Sequence, residues 1–314
     1  MHLAWRGYHV ELWGAFPDYV EEVRKKRENV KFLPGFKIPE KVRLSSDIHK
    51  TCANSDIIVL AVPSQFVRGV LQKIKNDKIH SKSFVTVAKG IETKTLKVMS
   101  QVIHDELGSV RQAVISGPSI AREVALKMPA AASVASKNRE LAERLRKIFT
   151  TETFSLFESE DVLGVELGGA LKNVIAISAG IVEGLGYGSN TRAALFARGV
   201  AEMARLGHVM GARRETFMGL SGLGDLATTC LSPHSRNRWL GEEIGKGKSL
   251  KKILGGTEMV VEGVDTCRSA HQLAKKHKVA MPITEAVYAI LFNNHDPREA
   301  VKALMKREPH RELD

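Results

Sequence analysis

In the first half of the chain, short apolar runs rich in Val, Ile and Phe alternate with turns and charged amphipathic stretches. The runs cover 8–13 (YHVELW), 56–62 (DIIVLAV), 83–90 (SFVTVAKG), 112–119 (QAVISGPS), 130–136 (AAASVAS) and 154–159 (FSLFES). Helical patterns such as SQFVRGVLQKIKN and NRELAERLRKIFTT lie between them. A run like IIVLAV is apolar on both faces, as a parallel strand covered by helices on each side must be. Strands alternating with helices predict a doubly wound α/β domain over residues 1–158. Ahead of the first run, His2 to Arg6 read as the end of a helix closed by Gly7.

From Glu160 onward the two-residue alternation fades and longer apolar patterns replace it. VLGVELGGALKNVIAISAGIVEGLG and RAALFARGVAEMARLGHVMG are long helical segments, and amphipathic helices continue through DTCRSAHQLAKKH to PREAVKALMKR. Residues 159–314 are therefore predicted to form an all-helical domain. The chain contains no internal repeat and no low-complexity segment.

In open α/β sheets ligands sit beyond the carboxyl ends of the strands. Three such ends carry Gly, Pro or small hydroxyl residues: VPS (62–64), AKG (88–90) and SGPS (116–119). Any one of them has an ordinary reading as a strand-ending turn. The three together predict a ligand crevice.

Charge narrows the ligand. The 47 Lys and Arg against 35 Asp and Glu leave a formal charge of +12, which favours anionic partners. Basic residues are not interleaved with aromatics, and neither a zinc-finger spacing nor an RNA-binding signature is present, so nucleic acid is not expected. A phosphorylated small molecule fits better. Cys52, Cys230 and Cys267 are far apart with no CxxC pair, which predicts neither a disulfide framework nor a thiolate metal site and suits a reducing cytoplasm. The 11 histidines include no HExxH, and His208 and His271 read as solvated helix residues, so no metal is implied. No signal peptide is evident at the N-terminus, and no run reaches the roughly 20 apolar residues of a membrane span. A soluble cytoplasmic protein is expected.

Several residues could carry chemistry. Lys172 lies in a mostly apolar helix, and Gly168 and Gly169 one turn back would leave room for a ligand there. Its amine is either a desolvated base or a lysine snorkelling from a buried helix. Lys89 directly follows a strand at the crevice and is otherwise a solvated strand-end lysine. Asp225, after the glycine-rich GLSGLG, could orient Lys172 or cap the following helix; Thr229, one turn on, is a weaker candidate. GLSGLGDL has no strand before it and fails the context of a dinucleotide loop, so it reads as a turn preceding a functional aspartate. In SPHSRNR, Ser235, Arg236 and Asn237 offer a hydroxyl, a guanidinium and an amide at consecutive positions, a set that suits phosphate or forms a solvated surface turn. Arg238 reads as a structural charge.

VAKGIE (87–92), SGPSIAREV (116–124), ELGGALKNVIAISAGIVEGLGYGSNTRAAL (166–195), GLSGLGDLATTCLSPHSRNRWLG (219–241) and VVEGV (260–264) resemble, in order and spacing, the NAD(P)-dependent glycerol-3-phosphate dehydrogenases. The similarity extends from GYHVELWG to about Pro282. It implies a Rossmann-like domain followed by a helical one, and interconversion of sn-glycerol 3-phosphate and dihydroxyacetone phosphate for glycerophospholipid synthesis. The family's catalytic lysine falls on Lys172. Substrate contacts fall on Lys89, Gly117, Ser119, Asp225, Ser235, Arg236 and Asn237, and cofactor contacts on Lys89, Ala121, Arg236, Val260 and Glu262. A homodimer is also implied.

The resemblance also implies a strand and a GxGxxG-type loop ahead of His2, which this sequence does not contain. Truncation is the expected reading, and loss of the pyrophosphate cradle the other. After the second family strand, Ala15 and Phe16 supply neither the carboxylate typical of NAD sites nor the arginine typical of NADP sites, so either cofactor fits. Two other functions compete: a dehydrogenase of another small hydroxy acid, against which SRNR argues, and a non-catalytic binding protein that keeps only the substrate half.

Overall fold

The computed structural model describes residues 1–307. Helix α1 (His2–Trp5) ends at Gly7, which takes a φ of +90°. Strand β1 (Glu11–Trp13) covers only the second half of the predicted run, with one further rung from Arg43 N–H to the Val10 carbonyl. Helix α2 (Pro17–Lys26) starts on Pro17, where a missing N–H costs nothing. Strand β2 (Arg43–Ser45) pairs in parallel with β1. Its three residues are too few for a period to show, which is why the pattern did not predict it.

Asp47 caps α3 (Ile48–Ala53) by accepting from Lys50 N–H. Next come β3 (Ile57–Leu60), a 3₁₀ turn at Ser64–Phe66, α4 (Val67–Ile74), β4 (Ser83–Thr86), α5 (Met99–Leu107), β5 (Arg111–Ser116), α6 (Ala121–Ala125), β6 (Ala130–Ala135), α7 (Arg139–Phe149) and β7 (Phe154–Ser159). Strands β3 to β7 form a second sheet in chain order. All its pairings are parallel except β5 with β6, which is antiparallel. The uniform parallel pattern fails there, where the connection carries only the short helix α6 and the chain reverses. The two sheets share a core: Trp13 and Ile58 both pack into the cluster of Ile48, Cys52 and Phe84.

The rest is helical. Around α8 (Val162–Gly184) lie α9 (Ser189–Val209), α10 (Asp225–Leu231), α11 (Arg236–Gly245), α12 (Leu250–Gly255), α13 (Glu262–His277), α14 (Pro282–Phe292) and α15 (Pro297–Met305). Every residue of α8 from Gly164 to Val182 is buried. By length and composition α8 could cross a membrane, contrary to the expectation that no run is long enough. Here the other helices enclose it. It touches α11 backbone to backbone, with no room for a Cβ on Gly180 or Gly241, and this brings Arg236 and Asn237 toward Lys172.

Three buried carboxylates tie elements together by accepting from backbone N–H groups. Asp161 caps α8 at Gly164 N–H (2.9 Å) and also accepts from Arg213 N–H and the Thr216 hydroxyl (2.9 and 2.6 Å). Glu166 of α8 accepts from the N–H and hydroxyl of Ser100 at the start of α5. Glu202 of α9 accepts from Ile283 N–H, Thr284 N–H and the Thr284 hydroxyl at the start of α14.

Candidate functional site

The candidate site lies where the carboxyl ends of β4 and β5 meet α8 and α10. Lys172 projects from the middle of α8, and Asp225 opens α10 after a wide π-type turn over Leu220–Gly224. Lys172 Nζ lies 3.0 Å from Asp225 Oδ1 and donates to Thr229 Oγ1 at 2.5 Å. Lys89 Nζ reaches the other carboxylate oxygen, Asp225 Oδ2, at 2.5 Å and donates to the Gly117 carbonyl at 3.0 Å. One carboxylate thus lies between two ammonium groups, all of it largely out of water.

Burial and the facing charges together set the protonation of this centre. Burial first of all, with the charge of Lys89 adding to it, outweighs the pull of Asp225 and holds the Lys172 amine below the ordinary lysine value. For Asp225, burial alone would raise the carboxyl, but Lys172 and Lys89 outweigh it and hold it below the usual carboxylate range. Asp225 does not cap α10, whose N-cap is Gly224, so the carboxylate is free for the two lysines. Thr229 accepts from Lys172 and donates to the Asp225 carbonyl at 2.7 Å, which fixes the amine from a second side.

Gly168 and Gly169 do not make room for a ligand. A Cβ on Gly168 would come within 2.8 Å of the Ser221 carbonyl oxygen, and one on Gly169 would overlap Ser116 Oγ. The glycines let the α10 approach and the β5 end close on α8, and that packing brings Asp225 and Lys89 to Lys172. Gly117 takes a φ of +152°, and a Cβ there would lie 2.7 Å from Ala132 Cα. A side chain is excluded on both counts. Ser119 Oγ donates to the same Gly117 carbonyl at 3.0 Å.

The SRNR segment begins α11. Ser235 is its N-cap, accepting from Arg238 N–H at 3.2 Å, and Arg236 is exposed at the first turn. Asn237 is buried: its amide donates to Asn173 Oδ1 and its oxygen accepts from Gly263 N–H, both at 2.9 Å. Asn237 therefore joins α11 to α8 and α13, with one amide hydrogen left for a ligand. Arg238 binds Glu183 of α8 through two nitrogens at 2.9 and 2.7 Å, so its charge is taken up by the fold.

Glu262 opens α13 and accepts from Ser64 N–H at 3.4 Å, joining it to the turn after β3. Burial pushes its carboxyl up, against Ser64 N–H and the charges of Arg236, Lys172 and Lys89. Val260 is half-buried in the preceding loop, and Ala121 is exposed at the first residue of α6; neither makes a polar side-chain contact, and neither is drawn into the lysine centre. Lys89, Lys172 and Arg236 against Asp225 and Glu262 leave the site one positive charge in excess, which suits an anion. Among the described residues, no group of three His, Cys, Asp or Glu side chains is placed to hold a metal ion.

Sequence reasoning did not single out Asn173 or Phe66, and it named Phe16 only as a position without the carboxylate or arginine of a cofactor site. Asn173 could have been found as the second polar residue inside an apolar helix, beside Lys172. Phe16 follows β1 and Phe66 closes the turn after β3, and they are 74% and 59% exposed. These aromatic faces at the carboxyl ends of parallel strands can stack on a nucleotide base. Lys89 and the Ser64–Glu262 contact also lie beyond the ends of β4 and β3, so the residues present fit the nicotinamide and base ends of a dinucleotide, while among the described residues no glycine-rich loop joins a strand to a helix to hold its pyrophosphate. His271, expected in solvent, is half-buried and stacked on Tyr288 with ring centres 3.8 Å apart, because α13 and α14 pack together there.

The sequence and fold are similar to those of known proteins. Residues 1–142 match the family model "NAD-dependent glycerol-3-phosphate dehydrogenase N-terminus", and residues 161–302 match the model of its C-terminus. A glycerol-3-phosphate dehydrogenase [NAD(P)+] of Syntrophotalea carbinolica is 49% identical over 99% of this chain and 95% of its own. One from Salinibacter ruber is 47% identical over 99% and 92%. The crystal structure of glycerol-3-phosphate dehydrogenase from Coxiella burnetii superposes with a TM-score of 0.94 at 38% identity, covering 98% of this chain and 94% of that one. A D-mandelate dehydrogenase, at 13% identity and a TM-score of 0.64, shares the fold alone. The chain belongs to the NAD-dependent glycerol-3-phosphate dehydrogenase family.

Proposed function

We propose that this protein interconverts sn-glycerol 3-phosphate and dihydroxyacetone phosphate with NAD or NADP, and so supplies the backbone of glycerophospholipids. The observation that carries the reading is the buried centre in which Asp225 holds Lys172 at 3.0 Å and Lys89 at 2.5 Å. When bound, the nicotinamide accepts or returns the hydride. The chain's own residues manage the proton and the charge.

Lys172, kept below the ordinary lysine value, takes the proton of the C2 hydroxyl in oxidation and gives it back in reduction. Lys89 places a second positive charge where the C2 oxygen becomes a carbonyl or an alkoxide. Asp225 holds both amines in place, and Thr229 fixes the hydrogen-bonding direction of Lys172. Ser235, Arg236 and the remaining amide hydrogen of Asn237 take the substrate phosphate. Gly117 and Ser119 line the substrate. Lys89, Ala121, Arg236, Val260 and Glu262 hold the cofactor, with Phe16 and Phe66 beside its base.

This reading divides the chain into a dinucleotide half over 1–158 and a substrate half over 159–314, working as a homodimer in the cytoplasm. The test is oxidation of NADH or NADPH with dihydroxyacetone phosphate against unphosphorylated dihydroxyacetone. Preference for the phosphorylated ketone is expected, and equal rates would reject the substrate assignment. The second reading, another small hydroxy acid, draws on the fold shared with D-mandelate dehydrogenase. The basic residue and hydroxyl at the start of α11 count against it.

A further inference from the structure

Lys89 has a flexible four-carbon stem, so the position of its amine depends on how firmly its backbone is held. That backbone lies in the connection from β4 to α5, outside regular structure, and the fixtures around it come from two elements, the turn after β3 and α13. A Cβ on Gly90 would overlap Ser64 Oγ, so the chain there is pressed against the turn after β3. The Ile91 carbonyl accepts from Gln65 Nε2 at 2.8 Å and from the hydroxyl of Ser269, in α13, at 3.1 Å. The oxygen of the same Gln65 amide accepts from Thr93 N–H at 3.0 Å and from Thr93 Oγ1 at 3.1 Å.

The Gln65 amide therefore meets a carbonyl and the N–H two residues later, as a neighbouring strand would. No shorter or singly functional side chain offers a donor and an acceptor in one plane at that reach. We propose that Gln65 is a positioning residue for Lys89, acting through the backbone of Ile91 and Thr93 and touching no reacting atom. The inference rests on the role given to Lys89 above. Ser269 makes a weaker contribution, because its single proton is shared with the Asp265 carbonyl at 3.2 Å.

The test is a double-mutant cycle between Gln65→Ala and Lys89→Met. It is read on turnover and on glycerol 3-phosphate affinity, so that a slow background still completes the cycle. Gln65→Ala is expected to lower turnover by about 10-fold with Lys89 intact, since displacing a catalytic group by less than an ångström costs up to about 10²-fold. In the Lys89→Met background the same change is expected to cost less than about 2-fold. A merely structural Gln65 would cost the same factor in both backgrounds, and that result would overturn the proposal. Turnover that depends on Lys89 but is indifferent to Gln65 would also overturn it while leaving the Lys89 assignment standing. Full turnover in Lys89→Met alone would remove that assignment and this inference with it. Should Gln65→Ala fold poorly, Gln65→Glu keeps the stem and the Thr93 acceptor but sets oxygen against the Ile91 carbonyl, and the same cycle applies.

Discussion

Asp225 lies between two lysines, while Glu166 and Glu202 are held mainly by backbone N–H and hydroxyl donors, with only a weaker pull from Arg205 on Glu202. All three carboxylates are buried, yet the carboxyl of Asp225 is held down and those of the two glutamates are pushed up to about 7. Desolvation acts on each in the same sense. The outcome differs because two full positive charges outweigh it at Asp225, whereas dipolar donors do not at the glutamates. A buried ion is thus maintained where the proposed chemistry lies, and carboxyls poised near neutrality join helices elsewhere.

Removing the charge at Asp225 gives the largest expected effect. Asp225→Asn leaves Lys172 and Lys89 facing each other without a counter-ion, and breaking a buried pair in this way costs about 3–5 kcal/mol. Denaturant unfolding at neutral pH checks it. If Asp225→Asn destabilises no more than Glu202→Gln, the contrast between ion pair and helix cap collapses. Lys172→Ala comes next, with turnover lowered by about 10²-fold or more if the amine is the general base. In the unmodified protein, glycerol 3-phosphate oxidation needs the neutral amine. Its rate should therefore rise with pH through a value below that of an ordinary lysine, and this limb should vanish in Lys172→Ala. A limb that survives would place the base elsewhere.

Much of the fold was legible because its signals are local. Each of the six predicted strand runs overlaps a strand, and the shift to helical periodicity after Glu160 coincides with the start of α8 at Val162. What was not legible depends on partners distant in sequence. β2 is recognisable only beside β1, and the direction of β6 against β5 is set by pairing that no local pattern carries. Their places in the pattern raised Lys172, Lys89 and Asp225 as candidates and the resemblance decided between their readings, but the contact between them joins residues 89, 172 and 225 and has no periodic signature. Gly168 and Gly169 show the limit best. Glycines beside a lysine suggest space for a ligand, yet they serve packing against Ser221 and Ser116, which only the assembled structure reveals.

The smallest expected effect bears on the other side of the comparison. Glu166 is buried, and loss of water pushes its carboxyl up to about 7, against about 4.5 for a free glutamate. The folded protein therefore binds this proton more tightly than the unfolded chain does, so stability is greatest below about pH 4.5 and declines as pH rises toward 7. Above that the contribution is level. Glu166→Gln keeps an acceptor for Ser100 and carries no charge, so it should match the unmodified protein near pH 4.5. It should be more stable by on the order of 1–3 kcal/mol at pH 8. Unfolding measured at both pH values decides it. A variant less stable at pH 8 would mean that the ionised carboxylate is worth more to the start of α5 than its burial costs, and Glu166 would then belong with Asp225 as a charge the fold maintains.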